Sequence, residues 1–353
     1  MAIVFAILIF SFLIFVHELG HFLVAKASGV QVNEFAMFMG PAIFKWQRGE
    51  TQYSIRCIPL GGYCAMEGED TDTDNPRSFQ KAAWWKRLCI LIAGAAMNLA
   101  AGFLLFALVF SNEKTINQNV IAKAEPWNTV IHEEGLHIGD RILEVDGNRV
   151  FVASDATMLF NLLDRETHDL VIERNGQKLE LNDFPVERHP VTDAKGETSL
   201  RYGFYFGYED MTFGNLMAYT WNNCLSVVQT VKLSLQMLLT GQAGLNDMAG
   251  PAGIVKMMSD TAKASKTTMD AVWNLMYIGA FIAVNLAVIN LLPIPALDGG
   301  RAVALLLTLA VERITRRKVD PKYEAFIHGA GMILLLAFMA IVTFKDIFVI
   351  FKG

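Results

Sequence analysis

Ala2-Ile-Val-Phe-Ala-Ile-Leu-Ile-Phe-Ser-Phe-Leu-Ile-Phe-Val-His17-Glu18-Leu-Gly20-His21-Phe-Leu-Val-Ala25 is an apolar run with three ionisable side chains gathered near one end. As a helix it measures about 36 Å, enough to cross about 30 Å of hydrocarbon. No basic residue precedes the run and no small-residue cleavage pattern follows it, so the expectation is a retained span and not a removable leader.

Three further runs have the same length and low charge: Leu88 to Phe110, about Ala271 to Leu292, and about Met332 to Ile350. The whole chain agrees with a membrane reading. Of its 353 residues 53% are hydrophobic and only 18% charged, against about 25% charged in ordinary soluble domains. The net charge of −5 argues against a nucleic-acid partner. Cys57, Cys64, Cys89 and Cys224 lie far apart with no C-x-x-C, which predicts neither a zinc knuckle nor a disulfide framework but small buried apolar side chains.

Residues 221 to 239 are a weaker candidate for a span. Asn222, Ser226, Gln229 and Gln236 interrupt them, while Cys224, Val228, Val231, Leu235 and Leu238 fall on one helical face. That pattern predicts an amphipathic helix lying at the interface. The connection after the first run carries Lys26, Lys45, Arg48, Arg56, Arg77, Lys81, Lys86 and Arg87, and the one after the third carries Arg301, Arg313, Arg316, Arg317, Lys318 and Lys322. By the positive-inside rule both connections face the cytoplasm, with the termini and the acidic segment between runs two and three outside. The first and third runs then cross in the same direction.

Ionisable groups in hydrocarbon are costly and mark function by default. On a helix His17 and His21, four residues apart, point the same way as two zinc ligands, and Glu18 can reach a metal-bound water as general base. Catalytic zinc needs a third protein ligand. Asp298 is the best candidate: it follows the third run in Asn290-Leu-Leu-Pro293-Ile-Pro295-Ala-Leu-Asp298-Gly299-Gly300, where the prolines end the helix and the glycines allow a tight turn. The alternative is a solvated acid after a helix stop.

Between about Thr115 and Arg201 hydropathy collapses and short runs alternate like strands, with a turn at Asn175-Gly176. The stretch Glu134 to Val150, the helical run near Asp155 to Leu163 and this turn resemble a PDZ domain, which implies strand addition of extended peptides. Passive exclusion of bulky ectodomains is the alternative. Pro41 to Glu67 reads as a hairpin turning at Arg48-Gly49-Glu50, with a Gly-rich bend at Pro59-Leu-Gly61-Gly62-Tyr63.

H-E-L-G-H in the first span, N-L-L-P-I-P-A-L-D-G-G after the third and an inserted PDZ-like segment resemble, nearly end to end, the site-2 protease family and its bacterial RseP-like intramembrane metalloproteases. The resemblance implies a polytopic α-helical membrane protein of four spans with a membrane-associated β-hairpin and an α+β PDZ-like domain. It implies Zn2+ held by His17, His21 and Asp298, Glu18 as base, and substrate handling by Asn285, Asn290, Pro293, Pro295, Gly61 and Gly62. Its substrates would be single-span membrane proteins, pre-trimmed by another protease, at the bacterial cytoplasmic membrane, with the site near the cytoplasmic side.

The expected layout is spans one and two with the hairpin in 1–111, an extracytoplasmic PDZ-like domain in 112–210, amphipathic helices in 211–265 and spans three and four in 266–353. Asn98, in Ala93-Gly-Ala-Ala-Met-Asn98, is expected mainly to bond a neighbouring helix. A water path is expected around Gly20, Gly61 and Gly62. The rival class is a non-catalytic membrane scaffold or zinc carrier, which needs ligands but not Glu18.

Overall fold

The computed structural model describes residues 2–69, 73–125, 127–128, 131, 135–163, 165–186, 188–192, 198–244, 247–317 and 321–352. Glu134 and Lys318, named above, lie outside the described residues. Two compact units are present: 1–106 with 230–353, and 107–229.

The first unit is built on α1 (Ala2–Ser28), α2 (Trp84–Phe110), α6 (Thr268–Asn290) and α8 (Pro321–Lys352). Among the described residues, four helices within these bounds are long and apolar enough to cross a membrane, as the sequence predicts. Two side-chain matches fix the direction of α6 against α1. Ala6 packs with Leu275, and Leu13 with Ile282 and Ala283; residue numbers rise together, so the helices run parallel. α2 runs the other way, with Gly20 against Ala93, and Gly102 against Val284 of α6. Without a hydrophobic drive between helices in lipid, small residues at these crossings let the backbones approach.

Two shorter helices also lie in this unit, α5 (Pro251–Ala264) and α7 (Asp298–Thr315). α5 begins at Gly250-Pro251, with proline at its first position, where the missing N–H costs nothing. Its free N–H groups are met from another helix: Asp346 of α8 accepts from Gly250 and Gly253, each at 2.8 Å. Lys345 pairs with Asp346 at 3.0 Å. α8 otherwise exposes Ile333, Leu334 and Phe344, as a lipid-facing helix would.

Strand β1 (Val32–Arg48) pairs antiparallel with β2 (Thr51–Met66). The sheet starts at Val32, nine residues before the expected hairpin, because β1 bends back on itself. Glu34 to Met37 lie opposite Gln52 to Ile55 on one side and Gly62 to Ala65 on the other, while Ala42 to Arg48 pair along Arg56 to Thr51. The bend uses positive φ at Phe38, Gly40 and Gly61. Segment 62–66 is thereby left at the edge of a small curled sheet. Exposed Ile43, Phe44 and Trp46 occupy the far tip.

Polar residues inside this sheet hold it together. Glu34 accepts from Ser54 and Arg56, both at 2.7 Å, and Arg56 also donates to the Gly40 carbonyl at 2.7 Å. Burial alone would raise the Glu34 carboxyl, but hydrogen bonds from Ser54, Arg56, Tyr63 and Gln52 outweigh it and hold the group at about 2. Tyr63 is pushed up to about 12 by burial and by Glu34.

The second unit contains the sheet β10-β3-β4-β6-β7, from β3 (Thr115–Ala124), β4 (Arg141–Val145), β6 (Thr167–Arg174), β7 (Gln177–Pro185) and β10 (Phe204–Asp210). β5 (Asn148–Arg149) pairs with β4, β8 (His189–Thr192) pairs with β9 (Thr198–Arg201), and α3 (Ala153–Leu163) brings Ala156, Leu159 and Phe160 into the core. The predicted Asn175-Gly176 turn joins β6 to β7 with both residues at positive φ. Asp140, fully buried, accepts two bonds from Arg174.

Helix α4 (Phe213–Thr240) is amphipathic, as expected, and is not among the four apolar helices. Its buried face differs from the predicted one: Thr220, Asn223, Cys224, Val227 and Val231 are buried, whereas Val228 and Leu238 are exposed. Polar Asn223 belongs inside because its amide donates to the Tyr219 carbonyl, and Ser226 bonds Asp155 at the start of α3. The cysteines also depart from expectation. Cys64 and Cys224 are buried, but Cys57 and Cys89 are exposed, one on the sheet and one on α2, and all four are free.

Two outcomes follow. Asp346→Ala should cost about 1 kcal/mol of stability in detergent, with Asp346→Asn losing less because an acceptor remains; equal, negligible losses would mean that α5 is not capped from α8. The Glu34 carboxyl, ordinarily near 4.5, is depressed, so its contribution is complete above 4.5 and is lost as pH falls toward 2. Hydrogen exchange of the sheet, corrected for intrinsic rate, should lose protection over that window in the native chain and not in Glu34→Gln.

Candidate metal centre

Towards its C-terminal end α1 puts His17 and His21 one turn apart on one face, their rings edge to face with centroids 4.8 Å apart. Nε2 of each turns to the same point. The two atoms are 3.3 Å apart, and the Oδ2 atom of Asp298 lies 3.2 Å from His17 and 3.3 Å from His21. His21 is fixed from behind: Nδ1–H donates to the Ile90 carbonyl of α2 at 2.8 Å, leaving Nε2 with its lone pair.

Asp298 arrives from a distant part of the chain. α6 ends at Asn290, residues 291–297 turn back, and Asp298 opens α7. The parallel course of α1 and α6 makes this possible, because the end of α6 at Asn290 comes level with the His17–His21 turn of α1. Pro293 and Pro295 are exposed in the turn, and Ala296 carries a positive φ of 79°. α8 supports the turn: the Ala296 N–H donates to His328 Nδ1 at 3.2 Å, and Gly331 lies against Pro295.

Gly299 and Gly300 are needed for a different reason from the tight turn expected. Both are helical and neither has positive φ. A Cβ on Gly299 would collide with the Leu291 and Leu292 carbonyls, and one on Gly300 would stand 3.1 Å from the Pro295 nitrogen. Their missing side chains let α7 sit directly on the turn, which aims Asp298 at the histidines.

The donor set fits zinc. Ligand bonds of about 2.0–2.1 Å in a tetrahedron require donors about 3.3 Å apart, and the three observed edges are 3.2, 3.3 and 3.3 Å. Asp298 Oδ2 is buried and takes no hydrogen bond, as an oxygen reserved for a cation would be. Among the described residues this is the only cluster of three potential metal-binding side chains.

The cluster opens into a cavity of about 730 Å³, lined also by Glu18, by Tyr63 to Met66 of β2, and by Glu69 and Arg301. The Cys64 backbone N–H faces the Glu18 carboxyl. Gly62 stands behind Glu18, where a Cβ would lie 3.3 Å from its Cγ, and Gly61 backs onto Met39. Asn290 comes within 3.4 Å of His17 Nδ1 on the side away from the metal-facing atom. The Asn285 amide donates to the Phe281 carbonyl of its own helix. Neither asparagine, neither proline and neither Gly61 nor Gly62 lines the cavity wall. Gly20 closes against α2 and opens no water path.

Three contributors were not singled out by sequence. Gly94 of α2 lies directly on the two imidazoles, so that a Cβ there would stand 2.6 Å from His17 Cε1 and collide with His21 Nε2. Arg301 had counted only as a basic residue; it pairs with Glu69 on the cavity wall. His328 holds the Asp298 turn. Gly94 stands four residues before Asn98, but the sequence does not say that this face of α2 meets α1.

The model of peptidase family M50 matches residues 5–338. Two similar proteins, from Clostridium perfringens and Clostridium acetobutylicum, are each named "Putative zinc metalloprotease"; they are 35% and 36% identical, covering 98% of this chain in both cases and 98% and 97% of the relatives. The "Regulator of sigma-W protease RasP" of Bacillus subtilis is 27% identical, with 97% of each chain covered. The chain belongs to peptidase family M50, the site-2 protease family. It is an intramembrane zinc metalloprotease.

Gly94→Val should weaken zinc binding about 10- to 100-fold, the equivalent of overpacking a tight site. Competition with a chelator in detergent measures this, and unchanged affinity would mean that the imidazoles do not rest on Gly94.

Proposed function

We propose that this metalloprotease cuts single-span membrane proteins within or beside the bilayer, with His17, His21 and Asp298 holding zinc and Glu18 acting as general base. The observation that carries the reading is the triangle of donor atoms with tetrahedral edges, opening on a cavity that also presents Glu18. Zinc bound there supplies Lewis-acid polarisation of the scissile carbonyl and a more acidic water. Glu18, facing the Cys64 N–H, takes a proton from the attacking water and returns it to the leaving amine. No acyl-enzyme forms.

A transmembrane helix hides its carbonyls in its own hydrogen bonds, so cleavage requires local unwinding. Residues 63–66 of β2, paired on one side with Val32 to Ala36, form the outer strand of the sheet on the cavity wall, and their other side offers replacement bonds to the freed backbone. Gly61 and Gly62 allow that edge to pass Glu18, Pro293 and Pro295 shape the turn bearing Asp298, and Asn285 and Asn290 supply amides to the bound backbone.

Residues 112–210 form a PDZ-like module between span-bearing segments 1–111 and 266–353, with 211–265 amphipathic. The support is the five-strand order with α3 and an open edge at β10, where a groove lined by Lys123, Ser154, Thr157, Tyr205 and Tyr208 suits an added strand. The distribution of Lys and Arg supports a reading with this module and both termini outside the bacterial cytoplasmic membrane and the site near the cytoplasmic face. The name of the Bacillus subtilis relative favours membrane-bound regulators such as anti-sigma factors, trimmed first by another protease, with remnant signal peptides as a second class.

Glu18→Gln should keep its zinc and lose cleavage of a tagged single-span substrate by at least about 10²-fold. Asp298→Ala should lose the metal. Cleavage by Glu18→Gln at the native rate would remove the general base and revive the carrier reading.

A further inference from the structure

We propose that Asn98 is the positioning residue that orients the His17 imidazole for the metal, by accepting a hydrogen bond from its Nδ1–H. The inference rests on the reading of His17 as a ligand and extends it to α2. His17 directs Nε2 at His21 and Asp298, so a metal bound there leaves the proton on Nδ1, which must then donate. His21 already has its acceptor in the Ile90 carbonyl. Among the described residues no backbone carbonyl takes that role for His17. What faces its Nδ1 is two carboxamides, Asn98 at 3.3 Å and Asn290 at 3.4 Å, each presenting its NH2 group.

An NH2 group cannot serve an N–H, so one amide presents its oxygen when the metal is held. The oxygen and nitrogen of a carboxamide occupy equivalent positions, and the hydrogen-bond network decides between them. Asn98 is the one that the surroundings select. It is 1% exposed, and its Oδ1 is buried with no hydrogen-bond partner. Turned end for end, that orphaned oxygen meets His17 Nδ1–H. Asn290 is only half-buried, and no orphaned buried oxygen marks it out.

The helix geometry supports the same division of labour. Asn98 is four residues after Gly94, on the same face of α2. Gly94 gives the two rings room to lie on the helix, and one turn later Asn98 sets the rotation of the nearer ring. Spans one and two thus build a ligand orientation that the H-E-x-x-H letters alone do not specify.

The test is zinc affinity of the full chain in detergent by chelator competition, together with the visible absorption of the cobalt(II)-loaded protein. Asn98→Leu should bind zinc about 10- to 100-fold more weakly, the usual range for loss of an outer partner of a ligand histidine, and should change the cobalt bands. Asn98→Asp keeps an acceptor and should retain affinity within a few-fold, as should Asn290→Ala. Zinc affinity and cobalt bands of Asn98→Leu matching the native chain would overturn the proposal, and so would an equal loss in Asn98→Asp. Asn98→Ala gives the same comparison if Asn98→Leu does not fold. His17→Ala separates the two levels: native-like zinc binding there would refute His17 as ligand, whereas loss there with none in Asn98→Leu would refute Asn98 alone.

Discussion

A divalent ion held at membrane depth needs its ligands in place before it binds, because stray charged groups in hydrocarbon are expensive. Three donor atoms at mutual distances of 3.2 to 3.3 Å meet that need, and everything around them serves to keep those distances. Two donors come from one turn of α1 and the third from 277 residues beyond His21. Their meeting depends on α1 and α6 running side by side in one direction, with Leu13 against Ile282 and Ala283 setting the register.

The support is layered. α2 lies against the histidines through Gly94, holds His21 through Ile90, and brings Asn98 behind His17. On the other side, α7 rests on the turn after α6 because Gly299 and Gly300 leave no side chain between them. α8 braces that turn through His328 and Gly331 and caps α5 through Asp346. A helix that is mostly lipid-exposed thus touches both the ligand-bearing turn and the short helix packed on α1.

Much of this was legible in the sequence because it obeys fixed periods. Imidazoles four residues apart share a helical face wherever the helix goes, and an apolar run of span length announces itself. Asp298 was legible from the prolines before it, although its glycines matter for close approach and not for backbone freedom. The sheet was only partly legible: Glu34 lies before the hairpin expected from Pro41, and only in the fold do Ser54, Arg56 and Tyr63 come back to satisfy its carboxylate. The inward face of α4 was misplaced because Asn223 is buried by a bond to its own helix. Gly94 stayed hidden because a single sequence does not say which face of α2 meets α1.

X-ray absorption of zinc-loaded Asp298→Cys tests the meeting of the two chain segments most directly. With residue 298 on the ion, the spectrum should gain a sulfur scatterer at about 2.3 Å beside the imidazole shell. A shell of nitrogen and oxygen alone, with zinc still bound, would contradict the account.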